Sequence, residues 1–117
     1  MRKKTTTRQS RVADSVKHVV SKAIIQDVRD PRVEHITVTD VEVTPDLKIA
    51  RIYITSHDST KIDSALKGLS SAQPLLRRKI ASELNLKYTP ALKFFYDESL
   101  EQAERIESLL AKIKENK

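Results

Sequence analysis

Two β-branched runs lying back to back leave this chain few folds to choose from. Residues 36–56 read ITVTDVEVTPDLKIARIYITS, rich in valine, isoleucine and threonine and interrupted at Thr44-Pro45-Asp46. Such side chains suit a pleated, half-buried surface. Proline at the first central position of a turn, with aspartate after it, presets a tight reversal. The segment is predicted to be a β-hairpin, and helical patterns lie on both sides of it.

From about residue 10 to residue 28, Val12, Val16, Val19, Val20, Ala23 and Ile24 recur at steps of three and four, the signature of a helix with one face in a core. Asp30-Pro31-Arg32 ends it, because proline disfavours helical backbone before it and cannot continue the ladder. In the first strand, about 35–43, Ile36 and Val38 share one parity and Val41 and Val43 the other. That switch predicts either a β-bulge near Thr39 and Asp40 or a strand partly covered on both faces. The second strand, about 47–56, sets Ala50, Ile52 and Ile54 toward the helices and Ile49, Arg51 and Tyr53 away from them.

Beyond the hairpin, Ile62, Ala65, Leu66 and Leu69 form a second helical stripe. Pro74 suits the first turn of a helix and costs about 3 kcal/mol inside one, so a kink or break is predicted between Leu69 and Leu75. A third helix then carries Leu75, Leu76, Ile80 and Leu84. Pro90 precedes a third strand, 91–96, with Leu92, Phe94 and Tyr96 on one side, and Ser99 with Gln102 forms a capping-box pattern. The final helix runs through Leu100, Ala103, Ile106, Leu110 and Ile113. The expected order is α, β, β, α, α, β, α in a single domain over residues 1–117. Residues 1–9 are expected to be a flexible basic tail, and residues 112–117 a fraying end.

Charge is the strongest statement of composition: 22 Lys and Arg against 16 Asp and Glu leave the 117 residues at +6. A polyanionic partner is one reading and a lysine-rich solvated surface the other. Distribution separates them. Arg2, Lys3, Lys4, Arg8 and Arg11 come before any acid, and Arg77, Arg78, Lys79, Lys87 and Lys93 are opposed only by Glu83, whereas Asp97, Glu98, Glu101, Glu104 and Glu107 face a single Arg105. A surface divided in this way is expected to be electrostatically two-faced.

Catalysis finds little support. The chain has no cysteine, which removes disulfides, thiolate metal sites and a thiol nucleophile together and fits a cytoplasmic setting. His18, His35 and His57 are scattered over a helix, a strand start and a loop without a metal-ligand spacing. One glycine, Gly68, cannot build a phosphate-cradling loop, and no apolar run reaches the roughly 18 residues of a membrane span. No catalytic residue, metal or cofactor is expected.

A family resemblance runs through nearly the whole chain. It is carried by Arg11-Val12-Ala13, Asp30-Pro31-Arg32, Val38-Thr39-Asp40-Val41, Asp46-Leu47 and Ala50, then Arg77, Leu86-Lys87, Pro90, Leu92-Lys93-Phe94 and Asp97-Glu98-Ser99. In this order and spacing they resemble the bacterial ribosome-binding factor A family. The resemblance implies an α+β fold, a KH-like (type II) αββααβ domain with an additional C-terminal helix, its three-stranded sheet covered by helices. KH domains clamp a nucleic-acid backbone with a GXXG loop. This family is similar but has an Ala-x-Gly kink between helices, matched here by Ala72-Gln73-Pro74, with proline in place of the glycine. Lys87 stands where arginine is usual, keeping charge but losing the planar fork.

By resemblance the partners are the 30S subunit and 16S rRNA, with ribosome-assembly GTPases as further candidates, no membrane, and a chain acting as a monomer. Lysine and arginine gain affinity by releasing counterions from phosphates. The residues expected to do so are Arg2, Lys3, Lys4, Arg8, Arg11, Arg77, Arg78, Lys79 and Lys87. Arg77 and Lys79 can instead cover the core with their aliphatic stems. With only five aromatic residues, of which Phe94 is read as core, recognition by shape and backbone is expected over stacking on bases. The rival reading is a protein-interaction adaptor that uses the acidic C-terminal helix.

Overall fold

The computed structural model describes residues 6–115, and of residues 100–104 and 114–115 the backbone alone. Its elements are α1 (Thr7–Gln26), β1 (Ile36–Val43), β2 (Ile49–Ser56), α2 (Ile62–Glu83), β3 (Ala91–Tyr96) and α3 (Ser99–Glu115). Short 3-10 turns, Pro31–Val33 and Ser59–Lys61, precede β1 and α2.

β2 is the central strand, antiparallel to β1 and parallel to β3. Its Ala50, Ile52 and Ile54 are fully buried in one core cluster with the buried side chains of α1 and α2, as their shared parity predicts. The parity switch in β1 is a bulge: pairing slips between Val38 and Asp40, so that Val38, Val41 and Val43 are all buried. The hairpin turn closes through a 2.8 Å bond from the N–H of Leu47 to the carbonyl of Thr44, with Leu47 in left-handed backbone at φ 61°. That conformation strains a bulky side chain, and Asp46 helps to hold it by accepting from the Thr44 hydroxyl at 2.6 Å and the Lys48 N–H at 3.0 Å.

α1 begins earlier than its apolar pattern predicts. Thr6 and Gln9 form a capping box, and Gln9, buried, donates through Nε2 to the Val43 carbonyl at 2.9 Å. A glutamine therefore ties the start of α1 to the end of β1, so residues 7–9 are helix and not tail. Residues 1–5 of the expected tail and residues 116 and 117 lie outside the described residues.

The two helices expected around Pro74 are one. α2 runs unbroken through 22 residues with Pro74 in its interior. Ile62, Ala65, Leu69, Leu76 and Ile80 stay in phase on one buried face across the proline. Each large side chain so buried stabilises by roughly 1.5–3 kcal/mol, and together they exceed the approximate 3 kcal/mol cost of the proline. Pro74 is exposed, as is Ser70, whose carbonyl loses its helical donor to the proline and can be met by water. The break between Leu69 and Leu75 is thus corrected by tertiary packing.

Gly68 sits where α2 crosses the turn before β1. A Cβ there would lie 2.9 Å from Val33 Cγ1 and 3.1 Å from Arg32 Cβ. The only glycine of the chain serves close packing. Gly68→Ala gains about 1 kcal/mol of helix propensity but forces an atom against Val33, which is buried and stiff at χ1. We expect it to lower stability by about 1 kcal/mol or more, read as a fall in denaturation midpoint. Pro74→Ala, which restores a helical N–H at an exposed site, is expected to raise stability by about 1–3 kcal/mol in the same measurement.

Candidate nucleic-acid interface

Side chains on the outer face of α2 reach the lead-in to β3. Gln73 Oε1 accepts from the Leu92 N–H at 3.1 Å, on the edge of β3 that faces away from β2. One turn later Arg77 donates from Nε to the Pro90 carbonyl at 3.3 Å and from a terminal nitrogen to the Thr89 carbonyl at 3.1 Å. Together they blunt an edge strand and fix residues 89–92.

Alongside lies a shallow concavity of about 530 Å³, lined by Pro74, Arg77, Arg78 and Thr89 among others. Arg78 is exposed there, and Arg77 keeps an exposed guanidinium although it also holds the backbone. Of the triplet expected to form an interhelical kink, Ala72 is half-buried against the core, Gln73 grips β3 and Pro74 faces solvent. Inside a continuous helix the backbone N–H groups are already used, so contacts to phosphate from this face must come from side chains.

Lys79 is spoken for: its Nζ lies 3.5 Å from Asp27, which caps the C-terminus of α1. The neighbouring basic cluster forms at the hairpin end, where a concavity of about 330 Å³ is lined by Arg8, Lys48, Lys87 and Tyr88 together with Asp46, Pro45, Leu47 and Leu86. It brings together Arg8 and Lys87, far apart in sequence, and adds Lys48, which no pattern in the chain singled out. Only folding the turn against the connection from α2 to β3 places Lys48 there. Arg11 is exposed on α1, and Arg2, Lys3 and Lys4 lie outside the described residues. Residues 87–90 join the two basic regions along the chain.

Asp46, in the second concavity, is held below the usual carboxylate range by the Thr44 hydroxyl and then by the Lys48 N–H. It is charged at neutral pH. Because its folded pKa is depressed, its contribution to the turn is present above the ordinary carboxylate range and is lost as pH falls through the lowered value.

The acidic side is thinner than its composition suggests. Asp97 is buried, accepting from the Thr39 hydroxyl at the β1 bulge and, at 2.9 Å, from the Ser99 N–H. Its own N–H donates to the Ile54 carbonyl at 2.7 Å, which makes it an interior pin across the sheet. α3 presents Ile106, Leu109, Leu110 and Ile113 to solvent, each between 55% and 60% exposed. The capping-box partner Gln102 is among the residues whose side chains are not described.

His35 and His57, scattered in sequence, line one concavity with Arg32 and Lys61, because the pairing of Ile36 with Ser56 brings their neighbours together. No group of three or more histidine and acidic side chains fit to hold a metal occurs among the described residues, and none of their helices is long and apolar enough to cross a membrane.

The family model described as Ribosome-binding factor A matches residues 8–110. The chain belongs to the ribosome-binding factor A family. It is 41% identical over 112 residues to ribosome-binding factor A of Geobacter sulfurreducens, covering 94% of each chain. To that of Rhodopirellula baltica it is 37% identical over 108 residues, 92% of this chain and 79% of the other. Family membership makes it a ribosome-biogenesis factor and not an enzyme. The fold agrees: the crystal structure of ribosome-binding factor A from Thermus thermophilus superposes with a TM-score of 0.71 at 23% identity, over 78% of this chain and 97% of that one. A homology model of the Thermus thermophilus factor, fitted into a cryo-EM map of a 30S complex, gives 0.62 at 24% identity over 74% and 91%.

Arg77 and Arg78 should separate stability from binding. Arg78→Glu removes no bond among the described residues and is expected to leave the melting temperature within a degree or so of the parent. Arg77→Ala frees two backbone carbonyls and is expected to cost about 1 kcal/mol in thermal or urea denaturation.

Proposed function

We propose that this chain is a small-subunit assembly factor that performs no chemistry itself. In this reading it binds the free 30S particle through 16S rRNA, near the 5′-terminal helix, and assists late maturation and rRNA processing in the cytoplasm. It acts as a monomeric single domain, with assembly GTPases as candidate partners. The observation that carries the reading is the exposed basic rim of Arg8, Lys48, Lys87, Arg77 and Arg78 around two adjoining concavities. Family membership and the 30S complex of the Thermus thermophilus factor support ribosomal RNA of the small subunit as the polyanion.

Counterion release gives the reading its sign. Each phosphate neutralised steepens the logarithmic salt dependence of binding by about 0.7 on single strands and about 0.9 on duplex DNA. The protein is expected to co-sediment with free small subunits at low salt, to leave them as salt rises, and to be absent from 70S particles. Arg78→Glu is expected to weaken the association and flatten the salt slope. Recovery with 70S equal to that with free subunits, or a complex indifferent to salt, contradicts the reading.

The bare apolar stripe of α3 favours a second reading, an adaptor whose C-terminal helix engages a basic protein. Ile106→Glu combined with Leu110→Glu distinguishes the two. An adaptor loses its partner with this pair and keeps it through nuclease treatment, whereas an RNA-bound factor keeps subunit affinity and is released by nuclease.

A further inference from the structure

Four of the five aromatic rings pack or hydrogen-bond within the fold. The Tyr53 hydroxyl donates to Glu42 at 2.6 Å and its ring lies 5.7 Å from that of Phe95, while Phe94 packs on the core and Tyr96 is half-buried. Tyr88 differs. It is 62% exposed, against 40% for Phe95, and stands in the connection from α2 to β3 at the edge of the hairpin-end concavity.

An exposed ring usually sits on a loose loop, but this one is held from both sides. Leu86 packs against the core, Pro90 is fully buried, and Arg77 grips the carbonyls of Thr89 and Pro90. The ammonium of Lys87 lies 5.5 Å from the Tyr88 centroid, within reach of a cation–π contact. Across the concavity, Arg8 and Lys48 supply positive charge and neither forms a close ion pair among the described residues, although the charge of Lys48 helps to keep Asp46 ionised. Asp46 is the one acid there. The Thr44 hydroxyl and the Lys48 N–H both donate to Oδ1, so Oδ2 takes neither of those bonds, and the other charged residues lining the concavity are cations. The volume, about 330 Å³, is in the lower part of the range for small-ligand sites, roughly 300–1,000 Å³.

We infer that this concavity is a subsite for one unpaired nucleotide of single-stranded RNA. The base stacks on Tyr88, Arg8, Lys48 and Lys87 hold the flanking phosphates, and Asp46 accepts from the ribose 2′-hydroxyl. The inference rests on the reading of the chain as an RNA-binding factor, and it replaces pure shape recognition at this end of the molecule with base stacking. A carboxylate among phosphate-binding cations is otherwise unfavourable. A 2′-hydroxyl gives it a donor, and DNA has none to offer.

The test titrates the full chain, at low salt, with a short single-stranded RNA and with the DNA of the same sequence, each carrying a fluorophore read by anisotropy. The RNA is expected to bind more tightly than the DNA. Tyr88→Ala is expected to weaken RNA binding roughly tenfold, the scale of one stacked base, with an unchanged melting temperature because the ring is exposed. Tyr88→Phe keeps the ring and is expected to stay within about twofold of the parent. Asp46→Asn, which retains an acceptor for the turn, is expected to narrow the preference for RNA over DNA. Equal affinities of the parent and Tyr88→Ala for the RNA overturn the subsite, as does equal binding of RNA and DNA by the parent. Sedimentation with free subunits keeps the two levels apart: a Tyr88-independent but salt-sensitive subunit complex overturns the nucleotide site alone, whereas loss of any subunit complex by the parent overturns the assembly reading.

Discussion

The packing of α2 against β3, α1 and the turn at Pro31–Val33 is the contact on which the remaining features depend. Leu69, Leu76 and Ile80 are fully buried on one face of that helix, and the same geometry turns Arg77 and Arg78 outward and sets Gln73 and Arg77 against the lead-in to β3. Gly68 lets the helix approach the turn at Val33 closely enough for that face to close. A core helix and a basic ridge are therefore two sides of one object. Because the outer edge of β3 is held from α2, the connection carrying Lys87 and Tyr88 inherits its position from the core.

Positive charge alone does not mark the interface. Of the basic residues in the run 77–79, one is divided between the fold and solvent, one is exposed with no bond among the described residues, and one is paired with Asp27. An exposed ion pair such as Lys79 with Asp27 contributes little to stability, yet it removes a cation from the pool available to phosphates. The reverse holds at the hairpin end, where Lys48 joins Arg8 and Lys87 because the Thr44 to Leu47 turn folds beside the connection from α2 to β3. Charge counts measure how strongly a surface attracts a polyanion, and pairing determines where.

Several elements were legible because local chemistry and tertiary demand agree. The bulge at Thr39 follows from a change of parity, the hairpin from Pro45 and Asp46, and the final helix from its three-and-four spacing. Misreadings arose where a local preference was overruled. Pro74 looks like a helix start, but the buried stripe continues in phase across it. Asp97 looks like part of an acidic surface, but two donors and a strand bond draw it inside. Gln9 looks like tail, but a free carbonyl at the end of β1 gives its amide a partner. In each case a residue of ordinary polarity is placed by a group remote in sequence.

By itself the sequence determined the mixed α and β character, the order of strands along the chain and the face that β2 buries, since periodicity and turn chemistry act over a few residues. Tertiary structure alone decided that α2 is one helix, that Arg77 is part scaffold, and that Arg8, Lys48, Lys87 and Tyr88 surround a common space. The physical reason is that burial and hydrogen bonding between distant segments outweigh single-residue propensities, and convergence in space leaves no periodic trace along a chain.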